Sequence, residues 1–101
     1  MTPTQRSLKL LREQGYKPWI VEHWNSFAKI RQDLYGFVDI LAVKDKETLG
    51  VQTTSYSNIS ARVKKIKESE YYPILKEAGW RIAVHGWRKV KGRYQVTERE
   101  L

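Results

Sequence analysis

Gly36-Phe37-Val38-Asp39-Ile40-Leu41-Ala42-Val43, followed nine residues after Val43 by Gln52-Thr53-Thr54, is the stretch that decides the fold. It reads as two buried strands joined by a polar turn, with an acid and an amide set into apolar sequence. A carboxylate is rarely placed in such a run unless something pairs with it. A metal ion is one such partner.

The polar insert Lys44-Asp45-Lys46-Glu47 separates two β-prone runs and predicts a hairpin of Phe37–Val43 with Thr48–Thr54. If Val43 and Thr48 close the loop, Asp39 falls directly opposite Gln52. A tighter loop closed by Lys44 and Glu47 keeps the same register. Facing residues on antiparallel strands have Cβ atoms roughly 4.5–5.5 Å apart, so one divalent cation could reach both side chains. Thr54 shares the face of Gln52, because strand side chains repeat with period two.

With 101 residues the chain is expected to form one domain, 1–101, with a modest core. It has no cysteine, which excludes a disulfide framework and a thiolate metal site. The N-terminus lacks an apolar signal-peptide core, and no apolar run is long enough to span a bilayer, so no membrane partner is expected. A net charge of +8 and a pI near 9.8 point to a polyanionic partner. Four tryptophans and six tyrosines supply stacking surfaces or core.

Thr2-Pro3-Thr4-Gln5 carries a helix start: Thr2 as N-cap, proline in the first turn, Gln5 closing a capping box. Leu8, Leu10 and Leu11 give this helix its apolar stripe, and Gly15 ends it. Pro18 to Trp24 reads as one strand; Ser26 to Leu34 fits a short helix or an ordered loop. After the hairpin, Ser57 or Asn58 caps a helix with Ile59, Val63 and Ile66 on its apolar face. Pro73 is expected to end or kink it, and a second short helix runs to Ala78 before Gly79. Trp80–Trp87 reads as a further strand and Arg93–Arg99 as an edge strand. The expected class is an α/β sandwich around a mixed sheet.

The order of elements, with Gly36-x-x-Asp39-Ile40-Leu41-Ala42 and an acceptor on the next strand, resembles the PD-(D/E)XK nuclease superfamily. The nearest flavour is its small Holliday-junction-resolvase-like and phage-type members. The resemblance implies an α-β-β-β-α-β restriction-endonuclease-like core and a Mg²⁺- or Mn²⁺-dependent endonuclease acting on DNA, including branched DNA. It also implies a homodimer and the cytoplasm of a prokaryotic or phage-infected cell.

Position by position, Asp39 matches the family aspartate. Gln52 stands in place of the glutamate, its oxygen able to ligate a metal without bringing charge. Thr54 stands where a lysine is expected and supplies no cation. Glu22 replaces the third ligand, the backbone carbonyl of Thr53 completes the protein's part of the shell, and Lys65 or Lys64 replaces the lysine from another direction. Each has a plainer reading. Asp39 could pair with Arg31 or Arg81, Gln52 could satisfy buried backbone, and Glu22 could sit at a solvated strand edge. Asp33 is either a further acid near the site or part of a turn ion pair. His23 and His85 have no ligand spacing, and no serine–histidine–acid arrangement is visible.

Asn58, Arg62 and Lys65 lie along one flank of the later helix and Lys64 and Lys67 along the other. The first flank would contact phosphates at the open end of the hairpin, in a sequence-independent, salt-sensitive way. Arg88, Lys89, Lys91 and Arg93 form a second basic cluster, expected in a loop, that would extend the DNA track. The alternative to a nuclease is a catalytically weak or inactive protein of the same fold that binds nucleic acid or a protein partner. A basic assembly protein whose acids serve only stability is the blandest option.

Overall fold

A computed structural model describes residues 1–101. In chain order the elements are α1 (Pro3–Glu13), β1 (Lys17–Ile20), β2 (His23–Asn25), β3 (Ile30–Gln32), β4 (Ile40–Lys44) and β5 (Glu47–Ser55). A single 3-10 turn at Tyr56–Asn58 then leads to α2 (Ile59–Lys67), α3 (Tyr71–Glu77), β6 (Trp80–Val90) and β7 (Arg93–Glu100). The chain is an α/β fold built on a mixed sheet.

Helix α1 starts as its sequence dictates. The Gln5 amide donates to Thr2 Oγ1, and the Thr2 amide donates to Gln5 Oε1. Two of the helix's orphan donors are thereby satisfied, and Pro3 sits where no donor is needed. Ser7, Leu8 and Leu11 form the buried stripe, while Leu10 is only half-buried. Gly15, with φ +92°, turns the chain into β1.

Five strands form the main sheet in the order β1-β4-β5-β6-β7, all antiparallel except the β5–β6 pair. A parallel neighbour demands a crossover, and α2 and α3 supply it. The sheet separates two apolar layers. Leu8, Leu11 and Tyr16 pack with Ile40, Ala42, Leu49, Val51 and Ala83 on one side. Ile59, Val63, Ile66 and Leu75 pack with Phe37, Val38, Ile82 and Val84 on the other. Gly86 lets the second layer close: a Cβ there would lie 2.3 Å from Ile59 Cδ1 and 3.2 Å from Tyr56 Cα.

The β4–β5 hairpin closes between Lys44 and Glu47, with Val43 facing Thr48 and Ile40 facing Val51. Asp45 takes the left-handed turn position at φ 52°. The strand pairing starts at Ile40 rather than Phe37, because Leu34 bridges to Val38 and the Asp33–Gly36 segment folds as a tight turn.

That bridge corrects the expectation of one strand over Pro18–Trp24. The β1 register continues to Val21, whose amide donates to the Asp39 carbonyl. The next partner would be Val38, already committed to Leu34. The chain therefore leaves the sheet at Val21-Glu22 and builds a separate two-stranded ribbon, in which β2 takes the end of the expected strand and β3 lies in the segment 26–34 expected to be a short helix or loop. Pro73 is a second correction. The helix after the hairpin ends at Lys67, and Pro73 lies in the first turn of α3, where its missing N–H breaks no helical bond. Of the cluster expected in a loop, Arg88, Lys89 and Arg93 lie instead on the paired strands β6 and β7, and Lys91 sits in the turn between them.

Candidate metal centre

Asp39 and Gln52 emerge at the end of the sheet where β4 begins and β5 runs toward Ser55. The β4–β5 ladder ends at the Ile40–Val51 pair, and the Asp39 amide donates to the Val51 carbonyl at 2.9 Å, so the expected direct pairing of Asp39 with Gln52 is not made. Both are buried, at 5% and 3% exposure. Both line a polar cavity of about 250 Å³ whose other walls are Pro3, Thr4, Glu22, Asp33, Thr53 and Arg62. No hydrophobic residue contributes to that lining.

Each wall has a structural cause. Glu22 is the residue at which the chain leaves β1 for the ribbon, and Asp33 is the residue at which the ribbon ends. The two legs of β2–β3 thus return two acids to the start of β4. The carboxylate oxygens of Glu22, Asp33 and Asp39 come within 4.8 Å of one another. Thr53 fixes the third of these, its amide donating to Asp39 Oδ2 at 2.8 Å and its hydroxyl to the same oxygen at 3.2 Å. The Thr53 hydroxyl also meets Thr4 Oγ1 at 2.8 Å, which ties the start of α1 to the site. Helix α2 contributes Arg62.

The electrostatics are unfavourable without a cation. Burial, then the neighbouring Asp33 carboxylate, push the Asp39 carboxyl up to about 8 against the pull of the Thr53 amide. Arg31 and Arg81 do not pair with Asp39. Arg31 bonds Glu22 at 3.1 Å on the outer side of the cluster, and Arg81 is held by Glu47 and Glu100. The cluster therefore gathers three acids, of which Asp39 keeps its proton near neutral pH, in a chain of net charge +8.

Gln52 supplies an observation of a different kind. Its Oε1 is buried and accepts no hydrogen bond, so it does not satisfy buried backbone through that atom. A buried carbonyl left without a donor costs about 1–3 kcal/mol. A hard divalent cation takes oxygen ligands and usually keeps several waters, so three carboxylates in a polar cavity suit Mg²⁺ or Mn²⁺.

The sequence-derived candidates divide as follows. Asp39, Gln52, Glu22 and Thr53 meet in one cavity, joined by Asp33. Thr54 is buried and outside the lining. Lys65 is exposed and lines a neighbouring cavity that shares Asp33 with this one; Lys64 is exposed outside both. Asn58 stands at the N-cap of α2 without capping it, its Nδ2 donating to Ser55 Oγ. On the β6–β7 tip Arg88 lies 4.1 Å over the Tyr56 ring and Lys89 approaches Tyr94 at 6.0 Å.

One constellation escaped sequence reading altogether. His85 Nδ1 lies 2.9 Å from Ser7 Oγ, and His85 Nε2 lies 2.8 Å from Glu98 Oε2. Its members are 78 and 13 residues apart, without local spacing to reveal them. It is a clamp and not a nucleophile: Ser7 is fully buried and its oxygen accepts the Trp87 indole N–H at 2.8 Å. The signal in the sequence was a small polar residue on the apolar stripe of α1.

Comparison of the chain with protein-family models, curated proteins and solved structures finds no match. No helix is long and apolar enough to cross a membrane.

Proposed function

We propose that the chain is a divalent-metal-dependent nuclease that hydrolyses DNA phosphodiesters at the Glu22–Asp33–Asp39 cluster. The observation that carries this reading is the cluster itself, three acids whose oxygens come within 4.8 Å of one another in a polar cavity, with Arg31 paired to Glu22 alone. The resemblance of the Gly36–Ala42 stretch to PD-(D/E)XK nucleases supports it, and the mixed sheet between α1 and the α2–α3 layer is read accordingly as a restriction-endonuclease-like core.

Glu22, Asp33, Asp39 and Gln52 would hold Mg²⁺ or Mn²⁺. The bound ion supplies polarisation of a phosphoryl group and a lowered pKa for water. The protein's own share is orientation and charge. The Thr53 amide fixes the Asp39 carboxylate, and the Thr4–Thr53 contact keeps that strand end in place. Arg62, on the cavity wall, neutralises an incoming phosphate. The net charge of +8 draws the polyanion to the surface.

A non-cleaving nucleic-acid binder of the same fold is the second reading. One observation favours it: no lysine lines the acid cavity, and Arg62 is its single cation. Incubation with plasmid, linear and four-way-junction DNA in Mg²⁺, Mn²⁺ or EDTA separates the two. Metal-dependent cleavage that disappears in Asp39→Ala, with the fold retained, supports the nuclease. Salt-sensitive binding without cleavage in any metal supports the binder.

A further inference from the structure

The β2–β3 ribbon stands apart from the main sheet, its two strands pairing only with each other. Its tip is a built feature. Asn25 Oδ1 accepts the amides of Phe27 and Ala28 at 3.0 and 3.1 Å, and Lys29 turns the chain at φ 56°. This turn presents Phe27 wholly to solvent, at 101% exposure, flanked by Trp24 and Ile30, each at least half exposed. Scattered apolar residues on a surface are ordinary. Here the ordered turn holds Phe27 outward, while Trp24, paired with Arg31, projects from one face of the ribbon and Ile30, paired with Asn25, from the other.

The same arm, His23–Gln32, carries Lys29, Arg31 and His23 and no acid. Its base forms one wall of a cavity of about 520 Å³, lined also by Lys65 of α2 and by Tyr35. That volume lies in the range of small-ligand sites. Asp33 is common to this cavity and to the acid cavity, so the two adjoin, and Arg31 and Lys65 both lie on the wall of the larger one.

We infer that the β2–β3 arm and α2 together grip an unpaired nucleic-acid strand, with phosphate against Arg31 and Lys65 and a base stacked on the Trp24–Phe27 tip. Aromatic faces beside cations match the alternation of bases and phosphates in a single strand. In a duplex the base faces are already covered by stacking. A second copy of the chain is disfavoured as occupant, because two arms rich in cations on proteins of charge +8 repel. The inference rests on the nuclease reading for the reason a strand should run here. It adds to that reading a preference for substrates with unpaired segments.

The test is fluorescence anisotropy in EDTA with labelled oligothymidylate and a blunt duplex of equal length, on wild type, Phe27→Ser, Trp24→Ser and Lys65→Glu. Wild type is expected to bind the single strand more tightly than the duplex. Phe27→Ser and Trp24→Ser each lose about tenfold for the single strand, the size of one lost base–aromatic stack, with duplex binding unchanged. Lys65→Glu weakens both. Thermal melts of the tip variants should match wild type, since Phe27 touches no core. Equal or tighter duplex binding, or full single-strand affinity in both tip variants, overturns the inference. Because binding is read without metal, single-strand preference with no cleavage in Mn²⁺ refutes the nuclease reading alone. Cleavage with no strand preference refutes this inference alone.

Discussion

The Thr53 amide donates to Asp39 Oδ2 at 2.8 Å, across the open end of a hairpin whose ladder stops at Ile40 and Val51. That bond holds a buried carboxylate among two others. The neighbouring amide oxygen, Gln52 Oε1, has no donor of its own. The arrangement is costly to the empty fold and favourable to a bound cation, and the first prediction follows from that difference.

In the metal-free protein the Asp39 carboxyl, raised by burial and then by Asp33, titrates at about 8 instead of 3.8. Between those values the unfolded chain has released a proton that the folded chain retains. Stability is therefore greatest at low pH on this account, falls as pH rises through that window, and levels off above it. Asp39→Asn keeps an acceptor for the Thr53 amide and removes the titration. Chelator-treated wild type should lose melting temperature from acid to pH 8 relative to Asp39→Asn. Above pH 8 the variant should melt higher, by about 4 °C or more. A constant difference across the range would count against the buried, repelled carboxylate.

The Ser7–His85–Glu98 clamp predicts a pH dependence of opposite sign. The His85 hydrogen bond holds Glu98 below its ordinary range. Its contribution is present above that range and lost as pH falls through the lowered value. Denaturant titrations should show wild type more stable than Glu98→Gln at neutral pH, with the gap narrowing on acidification. The effect is small because Glu98 is partly solvated.

Gly86→Ala places a methyl into Ile59 and against the backbone at Tyr56. Overpacking of this kind costs about 1–3 kcal/mol. The loss should appear in urea melts as a lower midpoint with the same slope. A variant as stable as wild type would mean that α2 slides freely on β6.

The expected Asp39–Gln52 pair fails because the ladder stops at Ile40, but the β4–β5 register up to that point and the capping box of α1 were legible in sequence because each depends on local spacing. The break between β1 and β2 was not. It arises because Val38 bonds Leu34 instead of extending β4, a choice invisible in the alternation of Pro18–Trp24. For the same reason Asp33 was ambiguous: only the return of the ribbon's second leg brings it beside Asp39. Arg62 and Lys65 were placed together on one flank of α2; Arg62 lines the acid cavity and Lys65 the adjoining one.

The most direct test of the central claim is a calorimetric Mn²⁺ titration of wild type, Asp39→Asn and Gln52→Leu, paired with metal-free melts. Wild type should take up one saturating equivalent, and Asp39→Asn should lose it. Gln52→Leu should melt at or above wild type without metal, because an unsatisfied buried carbonyl is gone. It should also bind Mn²⁺ at least about tenfold more weakly, as removal of even an outer partner of a metal site does. No saturable uptake in the millimolar range by wild type would contradict the account. So would a Gln52→Leu variant that is less stable yet binds Mn²⁺ undiminished.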